Sequence, residues 1–261
     1  MDFSQIRKPK DQKIEIANWD QTFVFDIETM GVPSKVKEHC TYPAFQEPKY
    51  GNLKDPIKRE QFYQQKKEEW ENAEADWWQK QIDKSALDPI TGRIVAIGYL
   101  FPYAHSGEDE LWDKMEIDGI STSMHDACET RIIRNFWERF NEACMSYGHI
   151  IGHNIEKFDL IFIMQRSWQL GIRISPMVMN GRYFHRQIID TMKLWTCYGF
   201  NEYISLDKLA KILSLGKKMD NYEAVQFAQD WLSGDRETAE FYLKTDLDLT
   251  YKIYERLMGG K

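Results

Sequence analysis

The sequence predicts an α/β protein, a mixed sheet flanked by helices, with a largely helical insertion after the first strand. Three observations carry this. Short apolar runs such as "TFVFDI" (22–27) and "RIVAIGYLF" (93–101) are rich in β-branched and aromatic residues and have strand character. Three strand candidates come early, and strands then alternate with helices. Between the first two strands, residues 31–88 change character. They are dense in charge of both signs and punctuated by Pro33, Pro43, Pro48 and Pro56.

In chain order, Phe23, Val24, Phe25 and Ile27 mark the first strand. Within the insertion, 57–84 contains no Pro or Gly and reads as a helix. Tyr63, Trp70 and Trp77 recur there every seven residues and share one face, which must be covered by something; the expected cover is the rest of the domain. The segment has too few aliphatic residues for a core of its own, so 31–88 is an insertion and not a separate domain. The turn "DPITG" announces the strand at 93–101, and "DELWDKMEI" (109–117) alternates as another strand. A helix is expected over 126–144, a short strand over 149–154, and a helix over 157–171 closed by Gly171. Residues 187–195 begin as a strand and become a helix. Helices follow over 205–216, from an N-cap at Ser205 to Gly216, then over 221–234 and 236–259. Loops at the C-terminal strand ends are expected to hold the site.

Composition narrows the function classes. A chain of 261 residues with 43% hydrophobic and 29% charged residues is an ordinary globular protein of one large or two small domains. A net charge of −7 excludes a global basic field, although a local basic patch could still serve nucleic acid. Cys40, Cys128, Cys144 and Cys197 are far apart without Cys-x-x-Cys spacing, which argues for reduced thiols in a cytoplasmic protein and against zinc. The polar N-terminus lacks the apolar core of a signal peptide, and the apolar runs are too short to span a bilayer, so no membrane partner is expected.

The chemistry gathers at acids. Asp26 and Glu28 follow the first apolar run two residues apart, so a strand points both to one face. Side-by-side carboxylates repel; either a cation sits between them or the strand ends in two solvated acids. In "GHNIEKFDL" (152–160), Asp159 opens an apolar helix, where an acid also fits as a dipole-friendly cap. In "YLKTDLDLT" (242–250), Tyr242 and Asp246 are four apart on one helix face, and alone they fit a core tyrosine with a solvated acid. Asp190 reads as an N-cap and Asp248 as solvent-facing. Residues 171–186 carry Arg173, Arg182 and Arg186 with Tyr183 and Phe184 and no acid. This suits single-stranded nucleic acid or a solvated loop.

Asp-x-Glu-Thr after a strand, Asn-x-x-x-Phe-Asp before a helix and Tyr-x-x-x-Asp in a final helix, in that order, resemble the DEDD superfamily of 3′–5′ exonucleases. The tyrosine variant (DEDDy) matches; where the histidine variant would carry His, this sequence has Leu243. The blocks "FDIET", "GHNIEKFDL", "SLDKLAKILSLGKK" and "YLKTDLDLTYKIYE" look like those of the exonuclease domain of family B DNA polymerases and its free-standing relatives. The resemblance implies a ribonuclease-H-like fold and a single exonuclease domain over 1–261, with a catalytic core of about 22–256 interrupted by 31–88. It implies two Mg²⁺ or Mn²⁺ ions about 3.5–4 Å apart, which prefer oxygen ligands. Asp26 would bridge both ions, with Glu28 and Asp246 completing one and Asp159 holding the other. Tyr242 would orient the attacking water. Thr29, Met30, Asn154 and Phe158 would line the terminal-nucleotide pocket, although Phe158 also fits simple core and Asn154 a loop support. The implied activity is cleavage of single-stranded 3′ ends, DNA favoured. RNA trimming stays open, as does a non-catalytic docking module of the same fold.

Overall fold

The computed structural model describes residues 22–102, 116–117, 122–199, 203–222 and 224–259. The first apolar run becomes β1 (Phe23–Gly31), which continues past its apolar residues through both acids. It does so because β2 (Gly92–Leu100) pairs antiparallel along nearly all of it, from Val24↔Leu100 to Gly31↔Gly92, with one irregularity between Glu28 and Thr29. Chain that leaves the sheet at Gly31 therefore returns beside it at Gly92.

The excursion between them holds α1 (Pro33–His39), an extended stretch, and α2 (Pro56–Ser85). Asp55 caps α2 by accepting from Ile57 N at 2.9 Å, and Pro56 stands in its first turn, where a missing N–H does no harm. The cover of the aromatic stripe differs from expectation. Tyr42 and Phe45, from the extended stretch, lie on Trp70 at ring separations of 5.1 and 5.8 Å, and Phe45 also meets Tyr63 at 5.5 Å. Tyr42 donates to Trp70 O, and Trp70 Nε1 donates to Pro43 O. The insertion thus covers its own stripe, and the C-terminal end of α2 meets the sheet. Glycines permit this contact: a Cβ on Gly31 would stand 2.1 Å from Ile82 O, and one on Gly92 would stand 2.6 Å from Ser85 O.

Of the strand expected over 109–117, Glu116 and Ile117 form β3 beside β2, and residues 109–115 lie outside the described residues. Next come α3 (Thr122–Met145), β4 (Ile150–Gly152), α4 (Asp159–Gln169), and a small hairpin of β5 (Met179–Asn180) and β6 (Tyr183–Phe184). Then follow β7 (Ile188–Asp190), α5 (Thr191–Trp195), α6 (Leu206–Ile212), α7 (Ala224–Ser233) and α8 (Arg236–Leu257). The main sheet has the order β3-β2-β1-β4-β7, with β4 and β7 parallel to β1. This is a mixed ribonuclease-H-like sheet, as expected.

The period-two pattern of β1 assigns its two faces. Phe23, Phe25 and Ile27 join a core with Phe136, Phe140, Leu160 and Phe162 of α3 and α4. Val24 joins the opposite core, with Phe227 of α7 and Tyr242, Leu243 and Leu247 of α8. On the first side the Arg166 guanidinium forks onto the buried Glu129 carboxylate at 2.6 and 2.8 Å, and Glu129 also accepts from Ile94 N. That pair ties α4 to α3 and β2. No helix among the described residues is long and apolar enough to cross a membrane.

Gly31→Ala should destabilise the protein by about 1–3 kcal/mol, because a backbone carbonyl must move to admit the methyl group. Urea denaturation measures this. A loss below roughly 0.5 kcal/mol would show that α2 is not seated on the strand.

Candidate active site

Alternation along β1 places Asp26 and Glu28 on the side of Val24, beneath α8. The helix comes close because Gly98 is the register partner of Asp26. A Cβ on Gly98 would stand 2.8 Å from Leu243 Cγ and from Leu247 Cδ1. With α8 seated there, Asp246 joins the strand acids, and ligand oxygens of Asp26, Glu28 and Asp246 lie within 4.8 Å of one another. Asp159, in the first turn of α4, reaches the same strand. Its Oδ1 accepts from Ile27 N at 3.2 Å, and its carboxyl hydrogen-bonds that of Asp26. Glu28, Asp159 and Asp246 are buried, and Asp26 keeps partial exposure.

Burial of like charges sets the electrostatics. Desolvation, then the charge of Asp246, raises Asp26 to about 7; Lys218 and the Ile27 N–H oppose this. Glu28 is held well above the usual range by burial and by Asp26 and Asp246, and Asp159 by burial and Asp26. Asp246 is raised by burial against the pull of Lys218 and the Tyr242 hydroxyl. Burial and the three nearest carboxylates push the Tyr242 phenol up, so it stays protonated.

Among the described residues, a lysine answers these acids. Lys218 Nζ lies 2.5 Å from Asp246 Oδ2, donates to Tyr242 Oη at 3.0 Å, and sits over the Tyr242 ring. Burial disfavours its charge, but Asp246, Asp26 and Glu28 outweigh that and hold its pKa above the ordinary lysine value. Asp207, near the start of α6, accepts from Lys218 N at 3.1 Å and fixes the loop that delivers it. The sequence motifs did not single out Lys218. The available signal was the need of clustered acids for a cation, with Lys217 and Lys218 in the loop before α7.

The cluster also fits a hard divalent cation. Its donors are all oxygens, and Asp246 Oδ1 is buried with no hydrogen-bond partner.

The other candidates fall in two places. Thr29 donates to Ala86 O at 2.6 Å, and Thr29 and Met30 line a cleft of about 110 Å³ with Ile82 of α2 and Ala228 of α7. Asn154 has a positive φ of 65°, its N–H donates to Asp190, and its Oδ1 is buried without a partner. Phe158 packs on the core against Phe162 at 5.6 Å. Asp190 caps α5 as expected and also receives the N–H groups of Asn154 and Glu156, so it fixes the loop before Asp159. His153 bonds Thr191 and Ile204 O, a structural tie, and Asp248 pairs with Lys252 at the surface.

Residues 90–260 match the model of a family described as a predicted 3′–5′ exonuclease related to the exonuclease domain of PolB. The chain belongs to this family. Membership agrees with the DEDDy resemblance and makes the protein a predicted exonuclease acting on nucleic acid. The matched span holds Asp159, Lys218, Tyr242 and Asp246 and begins two residues before β2. Asp26 and Glu28 precede it, and strand pairing brings them to the other acids. No curated protein matches the chain.

The acids imply a pH dependence for the metal-free protein. Because Asp26, Glu28 and Asp159 bind protons more tightly when folded than unfolded, stability should fall as pH rises from the ordinary aspartate value of 3.8 towards about 7. Asp26→Asn should flatten this slope and, in EDTA, exceed the wild type at about pH 8 by on the order of 1–3 kcal/mol. Denaturation at about pH 5 and about pH 8 checks it, and a flat wild-type profile would rule out the charge strain.

Proposed function

We propose that the protein hydrolyses phosphodiester bonds at single-stranded 3′ ends, DNA in preference to RNA, releasing nucleoside 5′-monophosphates with the help of two Mg²⁺ or Mn²⁺ ions. The observation that carries the reading is the meeting of Asp26, Glu28 and Asp246 within 4.8 Å, with Asp159 bonded to the same strand. The relation of the family to a polymerase exonuclease domain supports DNA. A cytoplasmic setting suits the free thiols of Cys40, Cys144 and Cys197.

Asp26, between Asp159 and the Glu28–Asp246 pair, would touch both ions; Glu28 and Asp246 would complete one site and Asp159 the other. Bound divalent ions supply the charge that activates water and steadies the leaving 3′ oxygen. Tyr242, kept neutral by its surroundings, orients the attacking water through its hydroxyl. Lys218 offsets part of the acid charge and so favours the ionised carboxylates that a divalent cation requires. The whole chain acts as one exonuclease domain. Its insertion bears on substrate choice, since α2 walls the cleft that holds Thr29 and Met30.

End-labelled DNA and RNA oligonucleotides, incubated in parallel with Mg²⁺ or Mn²⁺, test the activity. Cleavage should run from the 3′ end, stop in EDTA, and be lost in Asp26→Ala. Tyr242→Phe should keep metal affinity while single-turnover rates drop about 10- to 1000-fold. Undiminished turnover in chelator would falsify the two-metal reading.

Replacing 57–84 with a short Gly/Ser linker should change the preference among single-stranded, recessed and blunt ends while metal-dependent cleavage of a very short oligonucleotide persists. A folded variant with unchanged end preference would remove the insertion from substrate selection.

A further inference from the structure

A second cleft, of about 420 Å³, opens beside the loop before Asp159 and plays no part in the chemistry above. Arg182, Tyr183, Arg186, Lys193 and Tyr198 line it, with Glu156. The β5–β6 hairpin turns at Gly181, whose φ is 65°, and presents Arg182 at its tip. The Arg182 guanidinium lies 4.8 Å from the centre of the Tyr183 ring and bonds the Tyr183 hydroxyl. Lys193 comes from α5 and pairs with Glu156. Tyr198 follows α5, its N–H held by Lys193 O at 2.8 Å. Tyr183 and Tyr198 are each 62% exposed. Among the described residues, the lining is rich in cations, with Arg182, Arg186 and Lys193 beside Glu156, in a chain of net charge −7.

The cleft is coupled to the acid cluster by position. Glu156 stands three residues before Asp159, so the two are at most about 11 Å apart along the chain. The Asp190 carboxylate receives the N–H groups of Asn154 and Glu156 and caps α5, which carries Lys193. The same carboxylate therefore fixes the loop entering the site and one wall of the cleft.

We propose that this cleft holds a nucleotide of the substrate strand on the 5′ side of the one being removed, with Arg182, Arg186 and Lys193 facing its phosphates and Tyr183 and Tyr198 stacking its base. The proposal rests on the exonuclease reading. Guanidinium groups interleaved with exposed aromatic rings suit single strands, because every base has a face to stack and every step a phosphate. A site for a small anion alone would gain nothing from two exposed tyrosines.

The test uses Arg182→Ala combined with Tyr198→Ala, both at exposed positions outside the acid cluster. Binding of a fluorescent oligonucleotide of about 12 nucleotides, followed by anisotropy in EDTA, should weaken about 10- to 100-fold. The slope of log affinity against log salt should become shallower by about 0.7 for the lost phosphate contact. With Mn²⁺ present, KM for the same oligonucleotide should rise while turnover of the 4-nitrophenyl ester of thymidine 5′-monophosphate, which has no nucleotide on its 5′ side, stays at the wild-type level. Arg182→Lys with Tyr198→Phe, which keeps charge and ring, should restore affinity.

Equal losses on long and short substrates, or unchanged affinity in a folded double variant, would overturn the proposal. So would a free nucleoside 5′-monophosphate that competes as strongly as the oligonucleotide, since that would mark a product site. A wild type inert on both substrates, whose oligonucleotide affinity still depends on these residues, would reject the exonuclease reading and leave the strand site standing.

Discussion

The seating of α8 on the sheet at Gly98 is the contact from which the site follows. Leu243 and Leu247 rest where a side chain at that position would stand, and Asp26 is the register partner of the same glycine. The apolar contact and the acid cluster are therefore two sides of one approach. Buried carboxylates repel, and nothing in their own interactions would hold Asp26, Glu28 and Asp246 together. Packing of Val24, Leu243, Leu247 and Phe227 supplies the opposing stabilisation, at about 25 cal/mol for each Å² of apolar surface removed from water. Lys218 reduces the repulsion without cancelling it, since all four acids remain raised.

What was legible in the sequence depended on periodicity. A two-residue period put Asp26 and Glu28 on one face, and a four-residue spacing paired Tyr242 with Asp246; both arrangements hold in the fold. The caps at Ser205 and Asp190 were readable because their side chains act on chain only two or three residues away. Lys218 and Gly98 stood out in no motif, although clustered acids call for a cation. Their importance arises from where α8 lands on the sheet, a long-range fact that leaves no local pattern. The cover of the Tyr63/Trp70/Trp77 stripe was hidden for a related reason. Residues 40–50 have no period, so nothing in them announced that Tyr42 and Phe45 would lie against α2. The β5–β6 hairpin, with two residues in each strand, was too short to give a strand signal.

The two faces of the sheet divide the work unevenly. On the side of α3 and α4 the core is dense and aromatic, and the buried Arg166–Glu129 pair is engaged through two hydrogen bonds. On the side of α7 and α8 the apolar packing is interrupted by acids, a lysine, a tyrosine hydroxyl and a carboxylate oxygen without a partner. One face holds β1 rigidly, and the other leaves polar atoms ready for a ligand.

The neck of the insertion has a consequence for the architecture of related chains. Because Gly31 and Gly92 are paired neighbours, the sheet sees only a closed loop between them, whatever that loop contains. The entropy lost in closing a loop grows with the logarithm of its length, about 0.6 kcal/mol for each doubling. The length of this connection is thus almost thermodynamically neutral. A chain joining the same two strands by a few residues would keep the same register and the same cluster of acids, and differences among such chains would fall on the surface that α2 presents beside Thr29 and Met30.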